Sequence, residues 1–335
     1  MLINQKKSEL KNIVILATGG TIAGTGEEGK TTNYQAGNLD IQTLISSVSN
    51  LDKIANIRGE QIANVDSNDI TVNHWLTIVN KINELSKQDD VDGFVITHGT
   101  DTLEETAYFL DLTVKTNKPV VLTGAMRPST ATSADGPLNL YQSVALAASD
   151  LSIGQGCMVV FSDGIYSGRN VQKVNTFKTN AFSSIEFGCL GYMRDNIPFF
   201  FNKSIKPHTV YSQFDTSHLN KLPQVSIAYF NIDADPSIID YFSQRSEGIV
   251  IAGAGSGTFS SKWLQEIESL EAKGIPVVRS SRIGSGIILE DDTMDKYNNC
   301  IPSYTLSPPK ARILLSLALT RTKDFSEIKK IFAEY

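Results

Sequence analysis

The chain of 335 residues is long for a single hydrophobic core, so we expect two domains. Hydrophobic residues make up 41% and charged residues 20%, which is ordinary for a soluble globular protein. The formal net charge of −6 at pH 7 disfavours nucleic acid and anionic membranes as principal partners. No apolar run approaches the roughly 18 residues that a membrane-spanning helix needs.

The N-terminal segment, the cysteines and the histidines bear on location, disulfide bonds and metal binding. Residues 1–10 lack the apolar segment of a secretory signal peptide, which predicts a cytoplasmic protein, or a periplasmic one if a signal has been removed. Cys157, Cys189 and Cys300 are odd in number and far apart, so no disulfide framework is predicted. None of the four histidines lies in a zinc-ligand motif, so no metal site is predicted either.

Short runs rich in Val and Ile alternate with helical patterns along the chain, which is typical of parallel strands buried on both faces. The predicted strands are 12–18, 92–97, 119–123, 156–162, 224–229, 248–253 and 276–280. The predicted helices are 38–49, 72–86, 102–115, 136–149, 260–273, 308–321 and 325–333. This order predicts an α/β fold with a doubly wound sheet.

The alternation weakens over about 190–222, a stretch that contains Pro198 and Pro207, is followed at once by Pro223 and has few strong helix formers. A second, shorter α/β pattern begins at about residue 224. We therefore predict a larger N-terminal domain with a mostly parallel sheet over 1–205. A linker over 206–223 and a smaller C-terminal α/β domain over 224–335 complete the predicted organisation.

The first predicted strand ends in a glycine turn that carries a threonine, ATGGTIAG at 17–24. Ligands bind at the strand ends of open α/β sheets, but the spacing is wrong for a phosphate-binding loop. Thr21 is therefore either a turn residue that caps backbone groups or a nucleophile activated by a neighbouring base. The stretch 25–34 is typical of a mobile loop, and its Tyr34 is a candidate partner for the Thr21 hydroxyl.

The strand predicted at 92–97 ends in the same way, within ITHGTDTLEET at 96–106. Thr100 and Asp101 precede a predicted helix, so each can be an N-cap, a site residue or both. Backbone N–H groups in such a turn can hold a carboxylate or a developing oxyanion, and Asp101 can pair with a substrate ammonium group. We interpret His98 as a hydrogen-bonded core residue.

Four other segments have weaker signals. In LTGAMRPSTATSADGPLNL at 122–140, we interpret Arg127 as part of an ion pair that stiffens the turn. Ser67 lies among turn formers, and Lys173 is a surface residue unless burial lowers its pKa and makes it a base for a threonine. AGAGSGT at 252–258 resembles a dinucleotide-binding turn but lacks a following acidic residue at the right distance.

Three of these segments, at 17–24, 96–106 and 122–140, together resemble the bacterial type II L-asparaginases, as does VRSSR at 278–282. The motifs are long and ordered, and the resemblance extends from about residue 12 to the C-terminus. It implies hydrolysis of L-asparagine to L-aspartate and ammonia, with weaker action on L-glutamine and without a metal or organic cofactor. It also implies a homotetramer of two tight dimers. The acidic net charge separately predicts that neither nucleic acid nor a membrane is a partner.

The resemblance further implies roles for individual residues. Thr21 matches the primary nucleophile and Tyr34 its loop partner, while Thr100 and Lys173 relay protons and Asp101 binds the substrate α-amino group. Either threonine, or a water that they activate, remains open as the first attacking group. The other implied binding positions are Ser67 for the α-carboxylate, Asn68, the backbone of Gly99 and Ala125, and, from the partner subunit, Ser256 and Glu290.

The chain departs from the family at several of these positions. Asn68 stands where Gln is usual and is one methylene shorter, and Ser256 stands where Asn is frequent. The acidic segment 287–292 is shortened, so Asp291 and Asp292 are alternatives to Glu290. The family's frequent disulfide cysteines are absent as well. We expect the changed substrate contacts at Asn68 and Ser256 to favour L-asparagine over L-glutamine, because L-glutamine has one more methylene.

Two other functions compete with amide hydrolysis. An amino-acid-binding sensor could use the same scaffold without turnover, since a fold does not by itself imply chemistry. Against the sensor, every member of both threonine groups is present. A nucleotide-dependent Rossmann enzyme is disfavoured by the glycine spacing.

Overall fold

The computed structural model describes residues 10–335, which form two units that divide between His218 and Leu219. The division lies within the predicted linker 206–223, and the predicted domain bounds stay a prediction. The prediction that residues 1–10 contain no secretory signal peptide concerns mainly residues 1–9, which lie outside the described part of the chain. No helix within residues 10–335 is long and apolar enough to cross a membrane.

The first unit is built on an eight-stranded sheet with two short strand pairs outside it. Its strands are β1 (Lys11–Gly19), β2 (Thr25–Gly26), β3 (Tyr34–Gln35), β4 (Ala55–Val65), β5 (Gly93–Thr97), β6 (Val120–Thr123), β7 (Cys157–Phe161), β8 (Gly164–Ser167), β9 (Gln172–Lys173), β10 (Phe182–Ser183), β11 (Gly191–Arg194) and β12 (Ile197–Phe200). The sheet order is β12-β11-β8-β7-β6-β5-β1-β4, and its helices are α1 (Ile41–Ser46), α2 (Val72–Leu85), α3 (Leu103–Thr113) and α4 (Gly136–Ala147).

The five strands from β4 to β7 in this order are parallel, and β8, β11 and β12 add an antiparallel edge. The central strands β5, β6 and β7 are buried along their whole length, as their Val- and Ile-rich sequences predict. Ile13 and Ile15 of β1 share one core cluster with Leu140 and Val144 of α4. The sheet is therefore a rigid base for the loops that leave its carboxyl edge.

The second unit has a four-stranded parallel sheet in the order β13-β14-β15-β16. Its elements are β13 (Val225–Tyr229), α5 (Ser237–Ser243), β14 (Gly248–Gly253), α6 (Ser261–Glu271), β15 (Val277–Ser281), β16 (Cys300–Pro302), α7 (Pro308–Leu319) and α8 (Phe325–Glu334). Trp263 and Ile267 of α6 pack in one core cluster with Ile249 and Ile251 of β14. The predicted fold class, a larger mostly parallel domain and a smaller α/β domain, is confirmed.

Each predicted strand coincides with a strand of the structure, but the longer strands β4, β8, β11, β12 and β16 and the two-residue strands β2, β3, β9 and β10 were not predicted. β4 lies at the edge of its sheet and carries polar residues such as Arg58 and Glu60, so it lacks the apolar run of a central strand. β11 and β12 form a hairpin inside the stretch where the alternation weakens. The helix predicted over 38–49 begins only at Ile41, because the side chain of Asp40 caps it.

Candidate active site

The parallel register of the first unit brings the three strand-end motifs to one edge of the sheet. Ala17 of β1 lies opposite Thr97 of β5, and Thr97 lies opposite Thr123 of β6. The turns that follow these strands therefore leave the sheet side by side, at its carboxyl edge. This edge is where open α/β sheets bind ligands.

Two glycines let these turns touch through their backbones. Gly20 has φ of 80°, and a Cβ atom on it would lie 2.3 Å from the backbone nitrogen of Gly99. A Cβ on Gly99 would lie 2.8 Å from Cβ of Ser67. Only glycine permits such approaches, so both positions bring Thr21, Thr100 and Ser67 onto adjoining segments.

The Thr21 hydroxyl has the partner that the sequence suggests. Its Oγ1 lies 2.9 Å from Oη of Tyr34, and either oxygen can donate the hydrogen bond. Thr21 is 8% exposed and Tyr34 36%, so the pair lies at the boundary between protein and solvent. Tyr34 is in β3, which pairs with β2, so the predicted loop 25–34 is folded as a short hairpin.

This hairpin is docked on the loop that follows β6. The backbone N–H of Gly26 donates to Oγ1 of Thr130 over 3.0 Å, and that of Gly29 donates to the Thr130 carbonyl over 2.9 Å. The Ser129 hydroxyl donates to the carbonyl of Gly24 over 2.8 Å. These bonds hold the hairpin, and with it Tyr34, against the strand-end motifs.

The second hydroxyl, that of Thr100, accepts a hydrogen bond from a lysine. Nζ of Lys173 lies 2.9 Å from Thr100 Oγ1 and 2.5 Å from Oδ1 of Asp101. Lys173 is in β9, and its backbone N–H donates to the carboxylate of Glu104 over 2.5 Å. The lysine therefore contacts both candidate residues of the second turn, while its backbone is tied to the first turn of α3.

Asp101 is held as a carboxylate. Its pKa is lowered, chiefly because Lys173 donates a hydrogen bond to it and also through the hydrogen bond from Asn68. Nδ2 of Asn68 lies 3.3 Å from Oδ2 of Asp101, so the shorter side chain at this position reaches the aspartate directly. A carboxylate that accepts hydrogen bonds from these two donors can replace one of them with a hydrogen bond from a substrate ammonium group.

Ser67 is buried and lies in the short helical turn Ser67–Asp69. The Thr102 hydroxyl donates to the Ser67 carbonyl over 2.8 Å and joins this turn to the start of α3. Thr102 is also the N-cap residue of α3. The alternative that Thr100 or Asp101 is the N-cap is therefore wrong, and both side chains stand free of the helix terminus.

His98 is fully buried beneath the second turn, as its interpretation as a core residue predicts. Nδ1 lies 2.7 Å from the Gly99 carbonyl, which can only accept, and Nε2 lies 2.9 Å from the Thr106 hydroxyl. The Trp75 indole N–H donates to the same hydroxyl over 2.8 Å. Burial lowers the pKa of His98 to about 4, so this imidazole is neutral near pH 7.

In the third motif, at 122–140, Asp135 rather than an ion pair of Arg127 holds the backbone of the turn. The Asp135 carboxylate accepts hydrogen bonds from the backbone N–H groups of Met126 and Arg127, over 2.9 and 3.0 Å. The Arg127 guanidinium donates to the carbonyl of Ser133. No ion pair of Arg127 is found within residues 10–335, so its interpretation as an ion-pair residue is wrong. Ala125 is buried at the start of this turn.

Ser256 and Glu290 belong to the second unit, where both are exposed. Glu290 is paired with Lys329 of α8 over 2.9 Å, and the Tyr304 hydroxyl lies 3.5 Å from its other oxygen. The Asp291 carboxylate accepts backbone N–H donors two and three residues further on. The structure thus brings together the eight other candidate residues and the hairpin of Tyr34 in the first unit, and it leaves Ser256 and Glu290 in the second.

Three residues with clear contacts to the site were not predicted: Glu104, Ser129 and Thr130. All three lie inside the quoted motifs, but their contacts reach across 69 to 105 residues of sequence. Within residues 10–335, no group of three or more His, Cys, Asp or Glu side chains is arranged to hold a metal ion.

Two family models match consecutive parts of the chain. The chain matches the family model "Asparaginase, N-terminal" over residues 12–206 and the model "Glutaminase/Asparaginase C-terminal domain" over residues 224–332. It is 46% identical over 332 residues to L-asparaginase 2 of Escherichia coli (strain K12), which covers 97% of this chain and 94% of the relative. It is 42% identical over 335 residues to the glutaminase-asparaginase of Pseudomonas fluorescens biotype A, covering 99% of this chain and 92% of the relative.

A solved structure is similar over nearly the whole chain. The crystal structure of a probable cytoplasmic L-asparaginase from Campylobacter jejuni has a TM-score of 0.93 and 45% sequence identity. The similarity covers 97% of this chain and 100% of that one. Two family models that follow one another along the chain, and relatives matched over almost their full length, lead to one conclusion. The chain belongs to the asparaginase family, as an amidohydrolase of the bacterial type II L-asparaginases.

Proposed function

We propose that this enzyme hydrolyses L-asparagine to L-aspartate and ammonia, and L-glutamine more weakly, by nucleophilic catalysis through Thr21. The observation that carries the proposal is a pair of threonine hydroxyls on adjoining turns, each with its own partner. Thr21 lies 2.9 Å from the Tyr34 hydroxyl, and Thr100 lies 2.9 Å from the Lys173 ammonium. Two hydroxyls with different partners suit a reaction that needs both an attack and a proton relay.

The first half of the reaction forms an ester. Oγ1 of Thr21 attacks the side-chain amide carbon of the substrate while its proton passes to the Tyr34 oxygen, and the Tyr34 phenol gives its own proton on to the leaving nitrogen. The negative charge that develops on the amide oxygen is stabilised by backbone N–H groups of the turns. The C–N bond then breaks as the leaving nitrogen takes up a proton, so ammonia departs and an acyl-threonine ester remains.

The second half returns the enzyme to its starting state. A water molecule attacks the ester carbon and gives a proton to the Thr100 hydroxyl, which gives its own to Lys173 as the Lys173 ammonium group gives one to the Asp101 carboxylate. The same relay returns the proton when the ester bond breaks. The ester C–O bond breaks, Thr21 recovers its proton, and the product carboxylic acid leaves as L-aspartate. The contact of Lys173 with both Thr100 and Asp101 supports this relay, because one ammonium group bridges the hydroxyl and a carboxylate.

Substrate binding is assigned to the segments that surround the two threonines. Asp101 binds the α-ammonium group, with Asn68 beside it, and its lowered pKa keeps it ionised for this role. Ser67 binds the α-carboxylate from its buried turn, and the backbone at Gly99 and Ala125 lines the pocket. These contacts hold the amide carbon close to Thr21 and so reduce the entropic cost of reaction.

We also propose that the enzyme is a homotetramer built as a dimer of tight dimers. In this assembly Ser256 and Glu290 complete the site of a neighbouring copy. The exposure of both side chains supports the proposal, because each is available to a substrate bound elsewhere. The bond between Glu290 and Lys329 is an exposed ion pair of the kind that contributes little and exchanges readily.

A cytoplasmic location is proposed for the chain. The similarity to the probable cytoplasmic L-asparaginase of Campylobacter jejuni supports it. A relative from Haemophilus influenzae that is named as a probable periplasmic L-asparaginase, 45% identical, is the reason to test it. Fractionation of cells is expected to recover the asparaginase activity with cytosolic marker enzymes, and recovery with periplasmic markers would contradict the proposal.

The replacement Thr21→Ala tests the nucleophile directly. We expect kcat for ammonia release from L-asparagine to fall by at least about 1,000-fold, because the attacking oxygen is lost. The matched control is Thr32→Ala, which removes an exposed threonine hydroxyl of the same hairpin and should leave kcat unchanged. A folded Thr21→Ala enzyme with native kcat would remove Thr21 from the nucleophile role.

The same measurement decides between the enzyme and a sensor. The sensor hypothesis expects L-asparagine to bind without ammonia release, whereas the proposal expects steady turnover. Neither relative described above carries a name that denotes a sensor.

A further inference from the structure

Arg279 is a fully buried charge of the second unit that the proposed mechanism does not use. It lies on β15, and its side chain is 1% exposed. A guanidinium group is costly to bury unless its N–H groups have acceptors. Nε and Nη2 donate to the two carboxylate oxygens of Asp295, over 2.8 and 2.6 Å, and the side chain of Asp295 is only 6% exposed.

The remaining donors of Arg279 reach two different loops. Nη1 donates to the backbone carbonyl of Ser256 over 2.9 Å, in the turn that follows β14. Nη2 also donates to the carbonyl of Leu289 over 2.6 Å, and Leu289 directly precedes Glu290. One side chain therefore fastens the backbone of both segments that carry the proposed partner-site residues.

Both loops have further bonds to the same centre. The Ser281 hydroxyl donates to the Gly255 carbonyl over 2.7 Å, next to the Arg279 contact at Ser256. The backbone N–H of Asp291 donates to the Asp295 carboxylate over 2.9 Å, which ties the other side of Glu290 to the buried pair. The backbone on either side of Glu290 is thus bound to the Arg279–Asp295 pair.

Besides these bonds, the acidic segment 287–292 is held by the bridge of Ile288 with Tyr304, the exposed Glu290–Lys329 ion pair and the local turn at Asp291. Residues 282–287 are exposed and contain two glycines, a composition that permits many backbone conformations. Ile288 forms a bridge with Tyr304, and the next fixed point is the Leu289 carbonyl on Arg279. Removing the guanidinium would release the segment that presents Glu290.

We propose that Arg279 is a positioning residue for substrate binding, which holds Ser256 and Glu290 in one fixed arrangement. The inference rests on the proposed function, because the binding roles of Ser256 and Glu290 are proposed there. Arginine is required because its planar fork directs N–H groups to a carboxylate and to two carbonyls at once. A lysine has one ammonium group, so it can pair with Asp295 but cannot serve both loops.

A fixed arrangement lowers the cost of ordering these loops when substrate binds. Loss of Arg279 should therefore weaken binding of substrate and product more than it slows the chemical steps at Thr21 and Thr100. A rise in KM and Kd without a comparable fall in kcat distinguishes a positioning role from a general loss of stability. A general loss of stability would lower the amount of active enzyme without changing KM.

The test compares Arg279→Lys with Arg282→Lys in the full-length enzyme. Arg282 lies three residues away and is exposed, and its guanidinium donates to the carbonyl of Phe230, so it is a matched control. For Arg279→Lys we expect KM for L-asparagine and Kd for L-aspartate, measured by calorimetry, each to rise on the order of tenfold. We expect kcat to stay within about twofold of the native value, and Arg282→Lys to change none of these constants.

A second variant guards against misfolding caused by an unpaired buried charge. Arg279→Met combined with Asp295→Asn leaves no buried charge, and such replacements are often tolerated. It should show the same rise in KM and Kd. In a Ser256→Ala/Glu290→Gln background, Arg279→Lys should add less than about twofold to KM, because the groups that it positions are already gone.

Four results would overturn the inference, three of them in Arg279 variants. These are unchanged KM and Kd in folded Arg279 variants, a fall in kcat at constant KM, and the full tenfold effect in the Ser256→Ala/Glu290→Gln background. Native KM in the Ser256→Ala/Glu290→Gln enzyme also counts against it, since nothing would then need positioning. If the native chain releases no ammonia, the proposed function fails, and the L-aspartate affinities still decide on Arg279.

Discussion

The hydroxyls of Thr21 and Thr100 have partners of different chemical kinds. Thr21 faces the neutral phenol of Tyr34, whereas Thr100 faces Lys173, whose ammonium group also holds Asp101. A neutral partner can pass a proton along a hydrogen bond, while a charged one stabilises negative charge and orders a carboxylate. At the scale of single residues, the two similar turns are therefore unequal in chemistry.

Asn68 is the residue at which this chain departs most informatively from its family. Its amide donates to the Asp101 carboxylate over 3.3 Å, so it competes with the substrate ammonium for the same acceptor. Because Asn68 is shorter than the usual Gln, it changes the distance at which the substrate α-ammonium group can bind Asp101. The position of the substrate along the pocket, and hence of its amide carbon relative to Thr21, depends on this contact.

The first residue-scale prediction concerns substrate choice. We expect kcat/KM of the native enzyme to be at least about tenfold higher for L-asparagine than for L-glutamine, since one methylene in a pocket is worth about 1–3 kcal/mol. Asn68→Gln should change this ratio by about three- to tenfold, because it alters the grip on the α-ammonium group. Steady-state kinetics with both amides measures the ratio.

The control for this prediction is Asn73→Gln, which makes the same change at an exposed position of α2. It should leave the ratio unaltered. Comparable kcat/KM values of the native enzyme for the two amides would contradict the expected preference. An unchanged ratio in Asn68→Gln would show that Asn68 does not set it.

At the scale of elements, the site depends on parallel strands that end in register and on turns that touch. The Val- and Ile-rich runs made β1, β5 and β6 predictable, and their shared carboxyl edge follows from parallel pairing. The close contact between the turns at Gly20 and Gly99 was not predictable, because the two glycines are separated by 78 intervening residues of sequence. β4 was not predicted because, as an edge strand, it carries charged residues and lacks a continuous apolar run.

Gly20→Ala tests the contact between the turns. A methyl group there would lie 2.3 Å from the backbone nitrogen of Gly99, on a backbone with φ of 80°. We expect the free energy of unfolding to fall by at least about 2 kcal/mol and kcat to fall by at least about tenfold, because the turn at Thr100 must shift. Chemical denaturation and steady-state kinetics provide the two measurements.

Gly154→Ala is the matched control for backbone strain. Gly154 has φ of 72°, and nothing lies within 4 Å of the position that its Cβ would take. This variant should lose only about 1–2 kcal/mol of stability from the left-handed backbone and keep its native kcat. If both variants behaved alike, strain alone would explain the loss, and the contact between the turns would have no special role.

At the scale of the whole molecule, the candidate residues are divided between two units with separate sheets. Both threonine groups lie in the first unit, whereas Ser256 and Glu290 lie in the second on loops bound to Arg279. A neighbouring copy of the chain is the proposed user of these two side chains. The state of assembly then becomes a condition for full activity.

The assembly proposal predicts a particle of four chains, each of 36.6 kDa. Light scattering after gel filtration should give four times the chain mass. Dilution that dissociates the particle should lower specific activity, because each site would lose its contribution from a partner. A monomer with full specific activity at assay concentration would contradict both the tetramer and the shared site.

The sequence by itself determined the fold class, the strands of both sheet centres and the three motifs that mark the family. These features depend on local patterns, such as buried apolar runs and glycine turns at strand ends, which one stretch of sequence contains. Only the tertiary structure decided that Asn68 contacts Asp101, that Asp135 braces the third motif, and that Arg279 joins the loops of Ser256 and Glu290. Such contacts join residues far apart along the chain, and their geometry depends on how the strands and loops pack.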